Sequence, residues 1–405
     1  LGGTHHRAIT PWGRRVLFGA GSQDDSEPWV SDGTAVGTFQ LATLNGPGDA
    51  QPAEFTPIGS RALFVANSAA EGRELFVTDG TRLGTRLVLD LQAGPQSSSP
   101  RQLGSLGARA IFNATRPRAL YITNGYPGGT KFLMDLPAPQ RAATQIERMT
   151  SVGNRVFFTW ATPGHGRELW TSDGTVAGTR MVFDIFPGSS GSEPADLSAH
   201  QGKLLFTASD LIHGRELWSS DGTAAGTQLV REFVPGTDGA TVERVGTHGG
   251  LAVLTSIDPR GSKALEIWRT DGTPAGTSRA LRASIGVPNS AIYGSFVPLD
   301  NKRVLFGAKT KALGQELWVT DGTRGGTQLV RDFVPGPMGS GAATSFAFRG
   351  RAVVGTIIGN QRQVWLTDGT NNGTSRFDSL LPAGSALETM WAVHRDRLWF
   401  TGLHP

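Results

Sequence analysis

The stretch Arg167-Glu168-Leu169-Trp170-Thr171-Ser172-Asp173-Gly174-Thr175, followed by Gly178-Thr179, decides the fold. It reads as a short strand carrying a large ring, ended by an Asp-Gly-Thr turn. The aspartate can cap nearby backbone N–H groups, and the glycine takes the positive φ that a tight hairpin needs. The same frame recurs around Trp29, Phe76, Tyr121, Trp170, Trp218, Trp268, Trp318 and Trp365. A period of about 48 residues belongs to propellers or solenoids.

Working outward, each copy parses into four short strands. In the fifth copy they fall at 195–200, 203–208 with Phe206, 216–220 with Trp218, and 228–233. The run Val156-Phe157-Phe158 is continuously apolar, which predicts burial on both faces and therefore sheets stacked on sheets. Helical periodicity is weak throughout. The expectation is an all-β chain, a β-propeller of four-stranded blades forming one domain over 1–405. The preceding apolar strand occurs a ninth time at Arg397-Leu398-Trp399-Phe400. This predicts eight blades plus a C-terminal hairpin, with nine blades ending in a half blade as the alternative.

Bulk properties narrow the function. The 405 residues include 55 glycines and 23 prolines, placed regularly at turns. There is no cysteine, so disulfides and thiolate metal sites are excluded. A net charge of +4 without a run of like charges gives no nucleic-acid footprint, yet leaves a weak attraction to acidic partners. No apolar stretch approaches a membrane-spanning length. The chain starts at Leu1 and reads as a mature or trimmed product.

Repetition sorts the candidate residues. Asp32, Asp79, Asp173, Asp221, Asp271, Asp321 and Asp368 are read as turn-makers, with Asn124 in the third copy. The recurring ring is read as packing between sheets. The glutamate before it (Glu27, Glu74, Glu168, Glu216, Glu266, Glu316) is replaced by Ala119 and Gln363 in two copies. It is expected to bond a backbone group or an arginine of an adjacent blade. Candidate ligand-binding residues lie in the loops between second and third strands and between copies: Glu71, Arg73, His165, Arg167, His213, Arg215, Glu193 and Asp238. His165 and His213 hold one position in adjacent copies and suit an anion or a metal, although a plain loop role explains them as well. His5, His6, His200, His248, His394 and His404 show no ligand spacing, so no metal site is assigned. Asp24-Asp25 and Thr237-Asp238-Gly239 are too sparse for a calcium loop, and no cofactor is identified, though a structural or site-bound calcium ion stays open. Hydrolase, metalloprotease and nucleotide-binding motifs are absent.

Glu168-Leu169-Trp170 through Gly174-Thr175, Glu316-Leu317-Trp318 through Gly322-Thr323, and Asp184-Ile185-Phe186-Pro187-Gly188 with Gly191-Ser192-Glu193-Pro194 resemble the bacterial ELWxxDGT-repeat family, also called hyalin-like repeats. Glu27-Pro28-Trp29 and Leu120-Tyr121 depart from the pattern. The resemblance implies a β-propeller and a secreted or cell-surface protein, periplasmic as an alternative, and it transfers no functional residue. The Asp-Gly-Thr turn is also similar in placement to the Asp-box of sialidase propellers. The expected function is a non-catalytic binding or scaffold module recognising a glycan or protein, acidic ligands included, through channel-face loops. The alternatives are a glycoside hydrolase or lyase with a site at the channel mouth, and a structural subunit of a surface assembly. Oligomeric state is left open.

Overall fold

The computed structural model describes residues 7–22, 25–46, 48–136, 146–248, 251–257, 265–283, 292–300, 302–310, 312–348, 350–359, 361–377, 386–394 and 397–403. His5, His6, His404 and Asp24 lie outside them. The described residues are all-β, with one 3₁₀ turn at Pro127–Gly129 and no α-helix.

Eight four-stranded sheets follow one another along the chain, at 7–40, 53–89, 101–135, 147–183, 195–231, 241–283, 292–331 and 343–376. Within each, strands pair in sequence order, as an antiparallel meander. Sheets seven and eight are joined by a single parallel bridge, Gly294 to Thr344. A hairpin, Ala386–His394 with Arg397–Leu403, ends the chain. The fifth sheet (Ala195–His200, Lys203–Asp210, Gly214–Ser220, Gln228–Arg231) matches the sequence reading to within three residues at each strand end.

The chain divides into two compact units: 1–162 with 169–181 and 388–401, and 163–168 with 182–387 and 402–405. In the first, Leu63, Val65, Leu75 and Val77 of sheet two form one core with Phe112 and Tyr121 of sheet three. Leu106, Ile111 and Leu120 of sheet three join Val156 and Phe158 of sheet four. In the second, Leu205 and Leu217 pack with Leu254 and Trp268, and Leu305 and Leu317 pack with Val354 and Trp365. Every such core draws on two consecutive sheets. A meander of this size has two apolar faces and no second layer of its own, so a neighbour must supply it. Val156, Phe157 and Phe158 are at most 1 % exposed, as expected of a strand covered on both sides.

The recurring ring packs between sheets, as predicted, with Trp268 4.9 Å from Phe233 and Trp365 5.0 Å from Phe333 of the preceding linkers, and it also packs within its own sheet. Phe76 stacks on Phe64 at 5.6 Å and Tyr121 on Phe112 at 5.5 Å, each pair being direct cross-strand partners. Trp170 lies 4.6 Å from Trp160.

Candidate functional site

The antiparallel order gives each sheet two ends. One carries the hairpin between second and third strands and the linker to the next sheet. The other carries the turn between first and second strands and the Asp-Gly-Thr turn.

At the linker end the backbone is clasped. Gly214 has φ +67°, and a Cβ there would lie 2.4 Å from the nitrogen of Gly239 in the linker. A Cβ on Gly239 would lie 2.1 Å from the nitrogen of Arg215. Gly166 with Gly191, and Gly314 with Gly339, repeat this face-to-face contact. Only paired glycines let two main chains approach so closely.

The buried glutamate then staples the linker. Glu216 accepts hydrogen bonds from the amides of Phe233 (3.0 Å), Val234 (3.1 Å) and Ala240 (3.2 Å). Glu316 accepts them from Phe333, Val334 and Ser340, and Glu168 from Ile185, Phe186 and Ser192. Glu74 holds Ser98 and Glu27 holds Leu44 and Asn45. Ser192 also donates its hydroxyl to Glu168 at 2.6 Å, while its carbonyl accepts the Ser209 amide of the next sheet at 2.8 Å. Burial pushes Glu168 and Glu216 up to about 7, against the lowering pull of these donors. Glu27, Glu74 and Glu316 are raised for the same reason. The expected backbone partner is thus found in five copies. In the sixth, Glu266 accepts from Arg279 at 2.8 Å, an arginine of its own sheet and not of an adjacent one.

The residues singled out from the sequence fall into this framework. Arg215 donates twice to the Glu193 carbonyl, at 3.0 and 3.1 Å, and Arg73 donates to the Gln51 carbonyl and to Asn67 Oδ1. Arg167 is buried, with its Nε 3.5 Å from the Glu193 carboxylate. Glu71 accepts from the Ser68 hydroxyl. Asp238 lies in the linker segment between Thr237 and Gly239, whose backbones press on Gly214. The two histidines diverge. His165 Nδ1 meets Asp184 at 2.7 Å, across to the strand-four exit, whereas His213 Nδ1 meets Asp210 at 2.7 Å within its own hairpin. The Asp210 contact raises the His213 pKa. Neither belongs to a group of three metal-ligating side chains among the described residues.

At the other end, Asp221 Oδ1 accepts the Thr223 amide (2.8 Å) and hydroxyl (2.7 Å). Thr223 Oγ1 accepts the Gly226 amide, and Thr227 donates its hydroxyl to the Thr223 carbonyl. Ser220 and Thr227 hydroxyls close the turn at 2.8 Å. Gly222 has φ +90°, as predicted. The second glycine is required by the carboxylate, because a Cβ on Gly226 would lie 2.2 Å from the Asp221 carboxyl group. Asp79, Asp173, Asp271, Asp321 and Asp368 make the same bonds. The threonine hydroxyl is the main cause that holds Asp79, Asp173, Asp221, Asp271 and Asp368 below the usual carboxylate range, and the threonine amide acts in the same direction.

This end also holds a cavity of about 980 Å³ in the second unit. Its lining comes from sheets six, seven and eight: Arg269, Asp271, Lys302, Asp321, Gln328 and Thr370 are among its walls. The Asp300 carboxylate is consumed locally, accepting the Lys302 and Arg303 amides at 2.8 Å and pairing with Arg303 at 2.7 Å. A smaller counterpart of about 430 Å³ lies in the first unit, between Arg109, Asn154 and Asp173. The larger cavity was not foreseen. Its signal was the turn at 299–303, which replaces the two-residue glycine turns beginning at Gly59, Gly107 and Gly153.

No family model matches the chain, and no curated protein does. Solved structures similar to it include a prolyl endopeptidase (12 % identity, TM-score 0.46, 90 % of this chain and 54 % of that one). Oligopeptidase B from Leishmania major is another (10 %, 0.49, 90 % and 53 %). A third is the β-propeller domain of the Trilobed protease from Pyrococcus furiosus, with an open velcro topology (11 %, 0.40, 82 % and 99 %). The chain spans about half the length of the two peptidases. No described helix is long and apolar enough to cross a membrane.

Proposed function

We propose that the chain is an eight-bladed β-propeller of the ELWxxDGT-repeat type, acting outside the cytoplasm as a non-catalytic module that binds a glycan. The observation that carries this reading is the cavity of about 980 Å³, which falls in the size range of small-ligand sites and presents polar groups on a rigid scaffold. Perturbed carboxylates usually flag catalysis. Here Glu168 and Glu216 are fully buried and spent on backbone amides, so their raised pKa values have a structural cause. The test is a panel of neutral and acidic oligosaccharides titrated into the whole chain by calorimetry. The expected result is binding that Lys302→Ala weakens. Absence of heat with every sugar overturns the reading.

A further inference from the structure

We infer that the cavity of sheets six to eight selects an anionic sugar, such as a uronate oligosaccharide, over a neutral one; this rests on the glycan-binding reading above. Among the described residues, the cavity wall offers charge and hydrogen bonds but no aromatic platform, Val319 being the one large apolar side chain of these. Neutral sugars are held largely by ring stacking on aromatic faces, which these residues do not supply. Of its three cations, Arg303 is paired with Asp300. Arg269 and Lys302 are exposed and have no carboxylate partner among the described residues. They are the groups left for a ligand.

Arg269 is also preorganised. Its Cβ, Cγ and Cδ run along Gly322 of the next sheet, so close that a Cβ on Gly322 would sit 2.7 Å from the Arg269 Cβ. The stem is thereby held, and the guanidinium is carried at the cavity wall. A guanidinium matches a carboxylate with two parallel N–H donors, and an ammonium adds a point charge. The Thr323 and Thr370 hydroxyls on the same wall are spent within their own turns, and Gln328 Nε2 donates to the Gly325 carbonyl, so the Gln328 Oε1 is the polar atom of these three that suits a sugar hydroxyl. Asp271 and Asp321 are the opposing elements. Each commits its Oδ1 to the threonine of its own turn, Thr273 or Thr323, and their charges repel an anionic ligand.

The counterpart cavity of the first unit has one cation, Arg109, and no extended turn. It lacks the pair of groups on which the selection depends.

The test titrates trigalacturonic acid and, separately, neutral galactotriose into the whole chain at low and physiological salt. Trigalacturonic acid is expected to bind, several-fold more weakly at the higher salt, and galactotriose at least about tenfold more weakly than it. Arg269→Met keeps the stem on Gly322 and removes the charge. It and Lys302→Ala should each weaken trigalacturonic acid about fivefold, with unchanged thermal unfolding. Asp321→Asn keeps the Oδ1 acceptor and should tighten it. Equal or tighter binding of galactotriose, lost in Lys302→Ala, overturns the anionic selection while the glycan-binding reading stands. Binding of trigalacturonic acid that neither cation variant changes also overturns the selection at this cavity. No binding of either sugar, together with a silent panel, sinks both.

Discussion

The two ends of a sheet use similar residues to opposite effect. At the linker end, glutamates, arginines and glycines are turned inward, and each closes a bond that a neighbouring loop leaves open. At the Asp-Gly-Thr end, the turn's aspartate and hydroxyl groups satisfy one another within eight residues, and the sheet beside it adds side-chain packing and, at Gly80, one hydrogen bond from Arg15. Side chains next to it, such as Arg269 and Lys302, are left for solvent. A self-sufficient turn therefore frees its surroundings, whereas a stapled linker consumes them. The loops richest in charged residues are the ones most fully spent.

The largest expected effect comes from breaking the clasp. Gly214→Ala forces a Cβ against the Gly239 backbone at a positive φ. It should cost about 3 kcal/mol or more, or prevent folding. Gly202→Ala sharpens the comparison: φ is +77° there as well, but nothing lies within 4 Å of the added carbon. The cost should fall to about 1–2 kcal/mol, the backbone penalty alone. Chemical denaturation of both variants measures the difference. Equal losses would mean that the clasp adds nothing.

The staple comes next. Glu216→Ala strands three amides at the linker and should cost about 3 kcal/mol. The pH dependence has a definite sign. With folded pKa values near 7 against 4.5, Glu168 and Glu216 contribute stability that is complete below about 4.5 and is lost as pH rises through 7. Glu216→Gln should flatten that part of the stability–pH curve. An unchanged slope in the double variant Glu168→Gln/Glu216→Gln would remove both groups as its source. The lowered turn aspartates act in the other direction, since their contribution is present above 3.8 and fades as pH falls below it. Asp221→Ala should cost about 1–2 kcal/mol at neutral pH.

Much of this was legible in the sequence, and the reason is local. The Asp-Gly-Thr turn bonds within itself, so Asp221, Gly222 and Thr223 announce it wherever they stand together. The hydroxyl pair Ser220–Thr227 was not read from the sequence, although Thr78–Thr85 and Thr320–Thr327 keep the same seven-residue spacing. The clasp was not. Gly214 and Gly239 meet because a linker folds back, and a glycine in a loop carries no mark of its partner. The targets of Glu216 are backbone amides, which any residue supplies, so the chain spells the acceptor and not the donors. The cavity needed three sheets in place, and only the turn at 299–303 hinted at it.

His200 tests the comparison at the Asp-Gly-Thr end. In other sheets the last position of the first strand presses an apolar group on the next sheet's turn glycine: Ile58 on Gly125, Leu106 on Gly174. Sheet five puts His200 there, 4 % exposed, with neither ring nitrogen hydrogen-bonded. Burial holds its pKa below the usual value, against a weaker upward pull from Asp271. Its contribution is therefore present above 6.5 and is lost as pH falls toward the lowered folded value. His200→Leu replaces an unsatisfied buried polar ring by an apolar side chain, so it should raise stability by about 1 kcal/mol at neutral pH and by more at pH 5. Thermal melts of the two proteins at both pH values decide it. A loss that is the same at pH 5 and pH 7 would mean that the imidazole is engaged there after all, and that this end is less self-sufficient than its turns imply.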